Sequence, residues 1–147
     1  MTRTELLKRC DGTGGFKKAD QKPDRASFNG VWIDLQDGKI ELCVDVKLKD
    51  GVFVKRAIEF FIRTDGTKSA AARKRIGKAR DRFGLMSDIA TGIEKDFRYS
   101  VKNNSGRFRV QLTNSDIDSD TLADRVSGIL SRIAKKKLDI QAFLSNI

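Results

Sequence analysis

Residues 39–48 alternate without a break. Ile40, Leu42, Val44, Val46 and Leu48 are apolar, and Glu41, Cys43, Asp45 and Lys47 fall between them. A period of two sends successive side chains to opposite faces of a β-strand, whereas a helix would scatter them around its axis. Asp37-Gly38 stands before this run and Asp50-Gly51 after it, and Asp-Gly supplies the positive φ that tight hairpin turns need. Val31-Trp32-Ile33-Asp34-Leu35 on one side and residues 52–62 on the other continue the pattern, the latter with Val52, Val54, Ile58, Phe60 and Ile62 on one face. The expectation is a three-stranded antiparallel meander with one face packed and the other partly wet. Phe53, Ala57 and Phe61 make the last strand apolar on both faces, which predicts a central or covered position.

Other elements follow from periodicity and punctuation. Residues 4–10 suit a short helix anchored by Leu6 and Leu7, and residues 11–30 read as a flexible basic loop containing Gly12-Thr13-Gly14-Gly15. That glycine run lacks the Gly-Lys-Ser/Thr ending and preceding strand of a P-loop. Thr67 or Ser69 is placed to cap a helix whose stripe is Ala72, Ile76, Ala79 and Phe83, with Gly84 as its stop. Ser87-Asp88 caps a second helix presenting Ile89, Ile93 and Phe97 on one face. Residues 97–101 and 107–113 form a second hairpin around Asn103-Asn104-Ser105-Gly106. Ser119 or Thr121 caps a last helix with Leu122, Val126, Ile129, Leu130 and Ile133 as its stripe, and the tail from Leu138 to Ile147 docks. The order α-βββ-α-α-ββ-α predicts an α+β fold: an antiparallel three-stranded meander with a second β-hairpin and helices packed on one face. Its division is a short helix and flexible basic arm over 1–30, followed by a single α+β domain over 31–147.

Composition removes several chemistries. The chain of 147 residues contains no His and two Cys, Cys10 and Cys43. His-dependent triads and HExxH zinc sites are therefore absent, and two thiols do not complete a structural zinc site. No metal or cofactor is expected. Reduced thiols are expected rather than a disulfide. No apolar run reaches the ~18 residues of a membrane helix, and the first eight residues hold no apolar segment of signal-peptide length. The expectation is a soluble cytoplasmic protein without a membrane partner.

Thirty Lys and Arg against 20 Asp and Glu give a net charge of +10. Residues 61–80 alone hold seven Lys or Arg and one Asp. On the helix at 68–83, Lys68, Arg75, Lys78 and Arg82 flank the apolar stripe on one side, Arg73 and Arg80 on the other, and Lys74 points outward. Gly77 sits mid-helix on the outer face, either where a ligand approaches closely or as a tolerated surface glycine. Cations at a helix N-terminus oppose the dipole, and a bound phosphate or a nearby acidic patch would compensate. On the last helix Arg125, Arg132 and Lys136 form a comparable flank, although Lys135-Lys136-Lys137 also favours the dipole at a C-terminus.

Three functions fit these features. The first is non-catalytic nucleic-acid binding through the helix at 68–83, aided by the cations of the last helix. The αβββα order of residues 4–83, with Gly66-Thr67-Lys68-Ser69-Ala70-Ala71-Ala72-Arg73-Lys74 opening its last helix, resembles the double-stranded-RNA-binding domain. That resemblance implies phosphate contacts from the basic helix start; the adjacent Lys pair usual in that family is missing. Phe53 and Phe61 are expected in the core, stacking on bases being the other role open to them. The second function is binding to an acidic protein surface, as an inhibitor of a nucleic-acid-processing or defence enzyme of the phage or mobile-element type. The third is a nuclease: Pro23-Asp24 followed by Asp45-Val46-Lys47 resembles the PD-(D/E)xK signature, which implies Mg²⁺ on Asp24 and Asp45 with Lys47 near the attacking water. The later ββα segment resembles an uncharacterised domain attached to bacterial defence nucleases, a likeness that indicates no site residues.

Overall fold

A computed structural model of the chain describes residues 2–19, 22–36, 38–47, 57–64, 70–103, 105–112 and 119–146; for Ala72, Arg75 and Ser119 it describes the backbone alone. Its centre is a six-stranded antiparallel sheet in the order β1-β2-β3-β4-β6-β5. The strands are β1 (Lys17–Ala19), β2 (Arg25–Leu35), β3 (Gly38–Lys47), β4 (Ala57–Thr64), β5 (Arg98–Lys102) and β6 (Ser105–Gln111). The meander is therefore β2-β3-β4, and the second hairpin, β5-β6, joins it through β6. Antiparallel pairing throughout and helices on one face make this the expected α+β architecture. As expected, β4 is central, flanked by β3 and β6.

Several boundaries differ from the sequence reading. β4 is described over Ala57–Thr64, and Val52, Phe53, Val54 and the Asp50-Gly51 turn lie outside the described residues. Leu35 pairs with Gly38, so Gly38 opens β3 instead of closing the turn. Ser105 and Gly106 belong to β6, and Asn103 supplies the positive φ of that hairpin, at 51°.

The largest difference is in residues 11–30, where a flexible loop was expected. Thr13–Gly15 form a 3-10 turn, β1 follows, and the first half of β2 runs from Arg25 to Gly30. Phe16, Ala26 and Phe28 are fully buried. The cause is a β-bulge. Phe28 pairs with Val44 and Val31 with Leu42, so Asn29 and Gly30 together oppose Cys43. A bulge inserts one residue and shifts the phase of the strand. Phe28 and Val31, three apart, thereby reach the same face, and the alternation that reveals a strand breaks in the sequence. Gly30 adopts φ 89°, a conformation a side chain would disfavour. The glycine run is also packed: a Cβ on Gly14 would meet the Leu130 carbonyl oxygen at 2.8 Å.

Among the described residues, five α-helices form the second layer: α1 (Arg3–Cys10), α2 (Ala70–Arg82), α3 (Ser87–Ile93), α4 (Ser119–Lys135) and α5 (Lys137–Ser145). The Thr2 hydroxyl accepts from the Glu5 N–H and caps α1. Ser87 was expected to cap α3, but it is the first helical residue and donates to the Gly84 carbonyl. The stripe of α4 (Leu122, Val126, Ile129, Leu130 and Ile133) is completely buried. It meets Leu6, Leu7, Cys10 and Phe16 in the same apolar cluster as Ile40, Leu42, Val44 and Val46 of β3. Phe60 of β4 meets Phe83 edge-on at 5.3 Å, and Phe83 meets Phe108 at 5.1 Å, which ties the end of α2 to the sheet. In α5, Ile140 and Leu144 dock while Leu138 stays exposed. Both cysteines are free and buried. No helix among the described residues is long and apolar enough to cross a membrane.

Candidate functional site

Two clusters of cations stand out among the described residues, one on the helix layer and one on the opposite face of the sheet. On the helix layer, α2 buries Ile76 and Ala79 against the sheet and exposes Arg73, Lys74, Lys78, Arg80 and Arg82. Lys74, Lys78 and Arg82 follow one another at four-residue spacing. They form one row along the helix, about 6 Å per step. Like charges at that spacing cost a helix ~0.2–0.5 kcal/mol per pair. Asp81 is the one acid of α2, and none stands in its first turn. Among the described residues, Lys74, Lys78, Arg80 and Arg82 have no hydrogen-bond or ion-pair partner. Lys68 and the Arg75 side chain lie outside the described residues. Lys74 and Lys78 also line a cavity of about 550 Å³ closed by Leu35, Gln36, Leu144 and Ser145, where α2 faces the end of β2 and the end of α5. Gly77 looks onto open space: a Cβ there meets no atom within 4 Å.

The cations of α4 are placed differently. Arg125 Nη2 lies 3.4 Å from Glu94 Oε1 and 4.0 Å from Asp96 Oδ2. Arg132 donates through Nε to the Ile93 carbonyl and stands 3.9 Å from Glu94 Oε2. Glu94 is buried just past α3. The two arginines thus hold the end of α3 against α4 and satisfy a buried carboxylate and a terminal carbonyl together. Lys136 follows α4 with its aliphatic stem beside Gly92. The structure therefore brings Lys74, Lys78 and Arg82 together as a row of unpaired cations, leaves Arg80 unpaired on the other flank of α2, and engages Arg125 and Arg132 internally.

The opposite face of the sheet carries an ion-pair lattice that sequence reasoning missed. Glu41, Asp45 and Glu59 are 6%, 4% and 5% exposed. A half-solvated strand was expected at Glu41, Asp45 and Lys47, yet β3 is buried on both sides. Arg25, Arg63, Arg107, Arg109 and Lys47 lie over these carboxylates. Glu41 accepts from Arg63 through Oε1 and from the Gly30 N–H through Oε2 at 3.0 Å, so the bulge's freed donor is satisfied. Glu59 takes Arg107 at Oε2, with Lys47 at 3.9 Å and Arg109 at 3.6 Å. Arg107 also lies over the Phe61 ring, 5.2 Å from its centroid. Phe61, expected in the core, stands on this face, because β4 has Ile58, Phe60 and Ile62 on the other. Single-chain charge sums conceal the lattice, since its partners lie on neighbouring strands far apart in sequence. The basic residues at alternate positions 107 and 109 were the available signal.

The nuclease-like trio falls on the same face. Arg25 donates Nε and Nη2 to Asp24, both at 2.9 Å, and Nη1 to Asp45 at 3.2 Å. Its guanidinium occupies the bridging position between the two carboxylates, so a cation shared by them would have to displace it. Hydrogen bonding to Arg25 holds the Asp24 carboxyl at about 2. Burial lowers the Lys47 pKa, and the neighbouring Glu59 acts in the opposite direction. No group of three or more Cys, Asp or Glu residues suited to a metal ion occurs among the described residues. Cys43 lies between Glu41 and Asp45 on β3, and burial pushes its thiol to about 12, well out of the reactive range. Comparison with protein-family models, with curated proteins and with solved structures yields no match.

Proposed function

We propose that the protein binds nucleic acid through the outer face of α2, without catalysing a reaction on it. One observation carries this reading: Arg80 and Arg82 are the two arginine side chains without a partner among the described residues, and Lys74 and Lys78, equally without partners, form one row with Arg82, Arg80 standing on the other flank. The remaining described arginines are engaged with carboxylates, carbonyls or other groups of this chain. Unpaired cations in a row that costs the helix stability suit an external row of anions. Phosphates of a duplex backbone fit, because they require charge and spacing and no particular sequence.

The test is equilibrium binding of labelled duplex DNA and duplex RNA across a salt series. Three phosphate contacts, from Lys74, Lys78 and Arg82, predict a slope of about −2.7 in log K against log salt for duplex DNA. The combined variant Lys74→Glu, Lys78→Glu, Arg82→Glu should keep the wild-type melting temperature within a few degrees and lose duplex binding. Retained affinity in a folded triple variant would remove α2 from the function.

A further inference from the structure

The face of the sheet that no helix covers among the described residues presents, beside its lattice, the chain's single tryptophan. Trp32 is 41% exposed. It stands on β2 opposite Glu41 of β3, and Glu41 stands opposite Arg63 of β4. One row further along, Cys43 is opposite Phe61. Here a cavity of about 180 Å³ opens, with Phe61 and Cys43 in its wall, Ser27 and Asn29 as polar groups, and Arg25 and Arg63 at its sides. Towards the far edge a second cavity of about 510 Å³ is lined by Arg98, Arg109 and Arg125 with Ser100 and Asp96.

Charge on this face is sorted by depth. Glu41, Asp45 and Glu59 are the three buried carboxylates, the exposed Asp24 is held by Arg25, and the guanidiniums above reach the surface, Arg63 at 49% and Arg109 at 45% side-chain exposure. Five cations, Arg25, Lys47, Arg63, Arg107 and Arg109, stand over these three acids. Arg98 and Lys102 on β5 pair with Arg109 and Ser105 and extend the same face. The exposed surface is thus cationic: β2, β3 and β4 are each neutral by count, and β5 and β6 add two cations each without an acid. From β2 to β5 the face is four strand spacings wide, about 19 Å. That is a span of a few nucleotides, not of a long duplex.

We propose that this face binds single-stranded nucleic acid, with a base stacked on Trp32, a second base received in the cavity beside Phe61, and phosphates held by Arg63, Arg109 and Arg98. Stacking on aromatic faces and on guanidinium planes is how unpaired bases are held on open sheets, and surface cations track the backbone between them. A duplex hides its bases and gains nothing from Trp32. An acidic protein surface would use the arginines but leave the aromatic side chain and the base-sized cavity without a role. This surface is separate from α2, which packs on the other side of the sheet.

Trp32 is its own probe, being the only tryptophan. The full chain is titrated with a short oligothymidylate and a short oligouridylate while tryptophan emission is followed, and labelled oligonucleotide anisotropy gives the affinity. Saturable quenching is expected, weakening with salt. Trp32→Ala should weaken binding about tenfold, Trp32→Phe should retain most of it, and Arg98→Glu should weaken it with the fold intact, since Arg98 donates to the Lys95 and Phe97 carbonyls and to no buried acid. The triple variant of α2 should leave the quenching unchanged, which separates failure here from failure of the duplex reading. The inference is overturned if neither oligonucleotide quenches Trp32, if Trp32→Ala binds as tightly as wild type, or if an oligoglutamate peptide quenches as strongly as the oligonucleotides at the same salt.

Discussion

Glu59 carries more electrostatic responsibility than any other described residue. Its carboxylate is almost wholly buried and meets Arg107, Arg109 and Lys47 from two neighbouring strands. Burying an ion is expensive unless it is paired and hydrogen-bonded, and removing one partner leaves the others uncompensated. Arg107, with 15% side-chain exposure, would keep Ser105 and the Phe61 ring but lose its counter-ion. Breaking a buried pair costs ~3–5 kcal/mol; Arg109 and Lys47 reach water, so the lower end applies. Glu59→Gln should therefore destabilise the protein by about 3 kcal/mol in urea denaturation, with a smaller effect from Arg109→Gln. A loss below about 1 kcal/mol would mean that the lattice is solvated and contributes little. Nothing in the sequence singles out Glu59, because its partners at 47, 107 and 109 are brought to it only by the pairing of β4 with β3 and β6.

Among the elements, α2 has the weakest local reasons to be a helix where it is. Its buried stripe is small, it repeats like charges at four-residue spacing, and Gly77 interrupts its outer face. A Cβ on Gly77 meets nothing within 4 Å, so Gly77→Ala should raise stability by about 1 kcal/mol, the difference in helix propensity. The same variant weighs the two roles of this glycine: a surface residue of no further consequence leaves duplex affinity unchanged, whereas close approach of a backbone to the helix would make the added methyl costly to binding. Both are read from melting curves and the duplex titration of one variant. The stripe of α4 and the alternation of β3 were legible in the sequence because each keeps one period over its whole length. β1 and the first half of β2 were not. β1 has three residues, too few to show a period. In β2 the bulge at Asn29 and Gly30 shifts the phase between Phe28 and Val31. The basic face of α2 was legible for the converse reason: charge repeated on a helix keeps its register with the apolar stripe. What could not be read was that Arg125 and Arg132, equally periodic, are taken up by Glu94 and the end of α3.

For the whole molecule, the two layers set the two cationic surfaces back to back. α2 turns Ile76 and Ala79 to the sheet and exposes Lys74, Lys78 and Arg82 on its other sides, on the helix layer. Trp32 and Arg98 stand on the other side of the same sheet. Cations of these two clusters thus face opposite exteriors, an arrangement set by the layers and not by position along the chain. No short ligand reaches both, and neither surface shares a side chain with the other. Separated sites without common partners contribute additively. A duplex carrying a single-stranded tail offers a ligand for each side. On it, Trp32→Ala and the α2 triple variant should each weaken binding, and the combined variant should lose the product of the two factors to within about twofold. Salt dependence should divide in the same way. The α2 variant removes the steeper duplex component, near 0.9 per phosphate, and leaves the shallower single-strand component, near 0.7. If the combined variant binds no worse than the weaker of the two single-surface variants, the tailed duplex is using one surface only, and the back-to-back arrangement has no part in binding.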